Sequence, residues 1–256
     1  MNRPSLPDRE EAVRIGRKVR AYGVHVFTAS GIIFAFLAIA ELFETTPDPR
    51  WVFLWLAIAV LIDAADGPLA RLWDVKTRAP RIGGHTIDDL VDYLNFTFIP
   101  LLMVWRMGWV PDPAALWVLV AMGASLFGFA NIAAKQEADG FFLGFPSYWN
   151  IVAFYVGIWA EQYPPYGAYA SAAALVILAG LTVAPVRFIY PNQAPPPWQR
   201  IIIGGAVVWL VILLALLPSY PTVSPTWMLI SLIYPLFYLG LSAYLDVQDR
   251  RAADRS

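Results

Sequence analysis

Apolar residues come in long runs broken by short polar connections. The runs lie at 22–43, 51–73, 86–106, 114–134, 145–160, 166–189, 200–217 and 226–245. Most approach the roughly 20 residues a helix needs to cross a bilayer; the fifth is the shortest. Prolines mark the connections, among them Pro47, Pro49, Pro111, Pro113, Pro164, Pro165, Pro218 and Pro221. Ahead of the first run, residues 1–20 are polar and rich in arginine, with Ala12, Val13, Ile15 and Val19 near helical spacing. This pattern predicts an all-α polytopic membrane protein. An N-terminal interfacial amphipathic helix would cover residues 1–20, eight transmembrane helices residues 21–246, and a polar tail residues 247–256. No internal repeat and no separate soluble domain is expected.

Composition agrees. Of 256 residues, 59% are hydrophobic and only 14% charged, against about 25% charged in a soluble domain. The formal net charge is −1, so bulk charge implies no nucleic-acid partner. Cysteine is absent, which removes disulfides, thiolate metal sites and cysteine nucleophiles from consideration. Lys and Arg are distributed unevenly. The N-terminus, the connections after runs two, four and six, and the C-terminus hold 16 of the 18, leaving Arg50 and Arg106. By the positive-inside rule both termini face the cytoplasm.

Run two opens with twelve apolar residues, Trp51 to Ile62, too few to cross. Its helix must continue through Asp63 and Asp66 to Arg71. Run three begins near Gly84 and carries Asp88, Asp89 and Asp92. Acidic residues in a spanning helix are costly and need a reason. Asp63 and Asp66 are i, i+3, and Asp88 and Asp92 are i, i+4, so each pair shares a helix face. Asp89 is turned about 100° away and belongs to another environment. Consecutive antiparallel helices place the two acidic faces at one depth. Carboxylates gathered there stay ionised only if cations join them. Oxygen donors without cysteine favour a hard ion, Mg²⁺ or Mn²⁺, and two ions balance four charges. Gly67, Ala70 and Gly84 keep that face low, and Arg71 can pair with a phosphate oxygen.

The string Asp63-x-x-Asp66-Gly67-x-x-Ala70-Arg71, followed by Gly84-x-x-x-Asp88-x-x-x-Asp92, resembles the signature of the CDP-alcohol phosphotransferases. Twelve residues separate Arg71 from Gly84; that longer spacer is similar to the bacterial phosphatidylcholine synthase branch. The stretches Val24–Gly31 and Gly144–Asn150 resemble the same branch. The resemblance implies that Asp63, Asp66 and Asp88 ligate metal, with Asp92 as general base and further ligand. It implies that Gly67, Ala70, Arg71, Gly84 and Thr28 line the CDP-diacylglycerol site. The implied reaction transfers a phosphatidyl group from CDP-diacylglycerol to free choline with release of CMP. It takes place at the cytoplasmic face of a bacterial inner membrane, with Mn²⁺ as the expected ion and membrane lipids as surroundings. A homodimer is also implied. Other acceptors (serine, glycerol phosphate, inositol phosphate) and, further off, a cation transporter are the alternatives.

Choline keeps a fixed positive charge, which aromatic faces recognise. Tyr93, Tyr148 and Trp149 are the candidates, and Glu137 and Asp139 could attract the cation first. His25 reads as a hydrogen-bonding residue at the rim, and His85 as a cap for the third helix. Lys76, Arg78 and Arg81 extend the basic connection.

Overall fold

The computed structural model describes residues 6–131, 135–136 and 140–253, with side chains described from residue 11 onward apart from 132–139, 192, 250 and 252–256. Glu137 and Asp139 therefore lie outside the described residues. The chain divides into two compact units, Met1–Asn95 and Phe96–Ser256.

In the first unit, α1 (Leu6–Ala29) and α2 (Gly31–Leu42) follow one another across Ser30, whose hydroxyl donates to the Phe27 carbonyl at 2.6 Å. This differs from the boundary expected near residue 20. The basic segment and the start of the first apolar run are one helix, and the break comes ten residues later, where a serine bonds back to the preceding turn and a glycine follows. Helix α3 (Pro49–Leu72) is started by Asp48, whose carboxylate accepts the Arg50 N–H at 2.9 Å, with Pro49 at its first position. One turn, α4 (Val75–Arg78), leads to α5 (Gly84–Asp92). Helix α2 packs on α3, and α1 packs on α3, α4 and α5. A Cβ on Gly31 would sit 2.5 Å from Val91 Cγ1, so α2 and α5 approach as closely as they do only because that residue is glycine.

A π-helical stretch, Tyr93–Phe98, continues the chain into α6 (Ile99–Arg106). Pro100 lacks the N–H that would bond the Phe96 carbonyl, which favours the wider turn there.

The second unit holds α6, α7 (Ala114–Ala130), α8 (Trp149–Gln162), α9 (Tyr166–Val183), α10 (Trp198–Leu216) and α11 (Pro225–Ala253). Helix α9 packs on both α7 and α8, and α10 packs on α11. A small antiparallel sheet accompanies the helices. It pairs β1 (Lys135–Gln136), β2 (Phe141–Leu143) and β3 (Arg187–Ile189), with Phe142 opposite both Lys135 and Phe188. The sixth apolar run thus ends its helix at Val183. Pro185 disfavours helix in the residue before it, and Val186, Phe188 and Ile189 suit a strand. Gly144 closes β2 at φ +86°, where a Cβ would run into the Thr182 carbonyl. Pro146 and the left-handed Ser147 hold back the start of α8 to Trp149.

Five described helices are long and apolar enough to cross a membrane: Glu11–Leu42, Pro49–Leu72, Tyr166–Val183, Trp198–Ser219 and Pro225–Asp249. Helix α7 is apolar but shorter. Large apolar side chains also cover their outer faces, including Ile33, Phe36, Ile177, Val207, Val211, Ile233 and Leu236. Helices apolar on both faces fit lipid contact. This is a helical membrane protein.

Candidate active site

The site is built from α1, α3 and α5 of the first unit. Asp63 on α3 and Asp88 and Asp92 on α5 are half-buried, and each brings one carboxylate oxygen within 4.8 Å of the others. Asp66, one turn from Asp63, is buried instead. Its carboxylate lies beside the Thr28 side chain, the Gly67 N–H and the Asp88 carboxyl. The four acids are therefore linked through Asp88, with Asp66 turned toward α1. Asp89 is not among the three clustered carboxylates, although it too is half-buried.

Small residues surround the acids. A Cβ on Gly67 would lie 3.6 Å from a guanidinium nitrogen of Arg71, which folds back over that glycine one turn away. Arg71 is exposed, so its charge reaches water at the mouth of the acidic face. Ala70 packs with Leu69 and Trp73 against Ala21, Val24, Val75 and Ala79. That apolar contact fixes α1 on α3, and the Arg20 guanidinium stacks over the Trp73 ring at 4.8 Å. Pro68 lies within α3 and removes the N–H that would bond the Ala64 carbonyl. Thr28 is buried, its hydroxyl 3.3 Å from the Val24 carbonyl oxygen. Gly84 starts α5, and a Cβ there would lie 3.0 Å from His25 Cε1.

Gathering like charges on one face is unfavourable without a cation. The donors are all carboxylate oxygens, which fits a hard divalent ion and no soft one. Such a cluster beside an arginine and a floor of Gly and Ala suits a phosphate ester held between metal and guanidinium.

The model of the CDP-alcohol phosphatidyltransferases matches residues 24–184, which include the four acids, Thr28, Gly67, Ala70, Arg71 and Gly84. The chain belongs to this family. Curated family relatives extend the likeness beyond that span. The phosphatidylcholine synthase of Pseudomonas aeruginosa is 31% identical over 233 residues, 91% of this chain and 94% of its own length. That of Rhizobium meliloti is 31% identical over 89% of this chain and 91% of its own length, and that of Legionella pneumophila 33% identical over 88% of each. No solved structure matches the chain.

The remaining candidates fall out differently. Tyr93 follows Asp92 directly and is half-buried. In the second unit Tyr148 is 40% exposed, its ring edge-on to Phe145. Trp149 is fully buried. Its indole N–H donates to Ser125 Oγ at 2.7 Å, and Phe145 covers the ring at 5.7 Å. With no face open, Trp149 is a packing residue in this structure. His85 is exposed, and Arg78 pairs with Asp74 at 3.5 Å.

One feature was not legible in the sequence as a site element. His25, expected at a rim, is 6% exposed and lies on Gly84. The available signal was its i, i+3 spacing to Thr28, which puts both on one face of α1.

Proposed function

We propose that this chain is a phosphatidylcholine synthase that transfers the phosphatidyl group of CDP-diacylglycerol to choline. The observation that carries this reading is the likeness to the Pseudomonas aeruginosa enzyme over 91% of the chain; the converging carboxylates supply the chemistry.

In this reading Asp63, Asp66, Asp88 and Asp92 hold two divalent ions, Mn²⁺ or Mg²⁺. Bound there, the ions would polarise the diphosphate and offset charge on departing CMP. Arg71 pairs with a phosphate oxygen, while Gly67, Ala70 and Gly84 leave room for the nucleotide diphosphate. Thr28 orients Asp66. Asp92 takes the hydroxyl proton as the choline oxygen attacks the lipid-side phosphorus. The new phosphorus–oxygen bond forms as the bond to the CMP oxygen breaks. Asp92 then releases its proton to water. Tyr93 and Tyr148 are the aromatic candidates for the trimethylammonium group; Trp149 is not carried forward.

The decisive experiment offers the purified protein CDP-diacylglycerol and Mn²⁺ with choline, serine, inositol or glycerol 3-phosphate separately. CMP release with choline alone supports the reading. Release with another acceptor moves the chain to a different branch of the family, and release with none removes the transferase reading.

The proposed setting is a bacterial inner membrane crossed eight times, with both termini and the Arg71–Gly84 connection cytoplasmic and the protein a homodimer. The basic-residue bias supports the orientation. Single cysteines enter this chain without background. One at Thr46 should label from outside, and one at Thr77 only after permeabilisation. The reverse pattern would place the site on the wrong face.

A further inference from the structure

His25 on α1 is buried to 6% exposure, and its Nε2 has no hydrogen-bond partner among the described residues. Its aromatic neighbour Tyr22 stands edge-on at 6.3 Å. An enclosed imidazole nitrogen without a partner is costly, and such atoms in native structures call for an explanation. The surroundings point to one. The Cε1 and Nδ1 edge of the ring lies along Gly84, where a Cβ would come within 3.0 Å and 3.4 Å of those atoms. Gly84 precedes Asp88 by one turn of α5, and Thr28, one turn beyond His25 on α1, lies beside the Asp66 carboxylate. On both helices His25 thus stands one turn from the carboxylates. That is about 5.4 Å along an axis, the scale of a diphosphate reaching away from the acidic cluster.

Resting on the reading of this site as one for a CDP-linked lipid, we propose that His25 binds the donor substrate. A ring N–H donates to an oxygen of the CDP diphosphate held over Gly84. With no Cβ on Gly84, the imidazole lies directly against the start of α5.

The test compares His25→Ala, His25→Phe, His25→Asn and His25→Gln in reconstituted membranes. Loss of the donor in His25→Ala should raise KM for CDP-diacylglycerol about tenfold, with kcat and KM for choline within about twofold. CMP binding in detergent with Mn²⁺, followed by thermal shift, should weaken by a similar factor. His25→Asn or His25→Gln, which restore an N–H near Nδ1 or Nε2, should recover most of the loss. His25→Phe fills the space without a donor and should behave as His25→Ala. If His25→Phe matches wild type, or both KM values rise together, His25 packs and the proposal fails. Should His25→Ala not fold, the Phe and Gln variants decide alone. Should the wild-type protein release no CMP with choline, the choline reading fails, and CMP binding still decides the role of His25.

Discussion

Polar side chains are buried in both units, on opposite terms. In the second unit several of them come in complementary sets. Trp149 donates to Ser125, with Ser147 Oγ 3.2 Å away. The Tyr155 hydroxyl sits 3.0 Å from Ser231 Oγ, and the Trp209 N–H donates to the Ser231 carbonyl at 2.7 Å. Arg187 is held between Asp246 at 2.5 Å and Asp249 at 2.8 Å, over the Phe141 ring. In the first unit, like meets like: three carboxylates converge and a fourth touches one of them, with an enclosed imidazole one turn away. Complementary burial specifies architecture. Convergent like charges have no such return unless a ligand of opposite charge arrives.

The largest test of this contrast removes acids one at a time. Asp63→Asn, Asp66→Asn, Asp88→Asn and Asp92→Asn should each lower CMP release more than about a hundredfold, since changes to residues merely supporting a ligand already cost about 10–100-fold. Thermal melting without metal should change little or rise, because repulsion is relieved. Asp92→Asn should reduce turnover more than metal affinity. Asp89→Asn should be the mildest of the five; damage equal to that of Asp88→Asn would break the contrast.

In the second unit the same kind of change should act on stability. Trp149→Ala opens a cavity and frees Ser125, at a cost of about 3–5 kcal/mol. Folded yield in detergent should fall while the remaining protein keeps its KM for both substrates. A selective rise in choline KM would restore Trp149 to the acceptor site.

Between these extremes stands Tyr148, exposed and edge-on to its neighbour. Tyr148→Ala should raise choline KM several-fold, as one cation–π contact is worth about 0.5–2 kcal/mol, and leave KM for CDP-diacylglycerol nearly unchanged. Tyr148→Phe should retain most of the affinity.

Smallest of all is the paired charge at the start of α3. Hydrogen bonds from the Arg50 side chain hold the Asp48 carboxyl below its ordinary range. A depressed carboxylate stabilises the fold above its unfolded pKa, and the gain is lost as pH falls through the folded value. Asp48→Ala should cost about 1 kcal/mol or less at neutral pH, chiefly through the lost cap, because solvent screens this exposed pair. The difference between variant and wild type should begin to shrink as pH falls below about 4 and go on shrinking through the lower folded value.

Spacing made the acidic faces legible. Helical phase depends only on residue number, so Asp63, Asp88 and Asp92 could be placed on facing sides and Asp89 apart. It could not show that Asp66 turns to Thr28, because that depends on how closely α1 packs. Nor could apolar runs mark where a helix gives way to a strand. Val186, Phe188 and Ile189 are as apolar as the residues of a span, and the decision rests on Pro185 and on pairing with β2. Trp149 reads as a choline-facing aromatic because aromatic residues serve both recognition and packing; burial and the Ser125 bond separate the two.

Helix α1 runs unbroken from Leu6 to Ala29, about 36 Å. Along it Arg17, Ala21, Val24 and Thr28 form one stripe, exposed at the arginine and buried at the other three. Such a rod behaves as a shaft whose angular setting is counted in residues. Inserting one residue between Arg17 and Ala21 would turn the whole basic end by about 100° while leaving Thr28 and His25 where they are. Inserting seven would return it almost to its starting angle, displaced about 10.5 Å along the axis. Rotation and reach of the surface arginines can thus be set separately, by the length of one exposed stretch, without altering a side chain of the site.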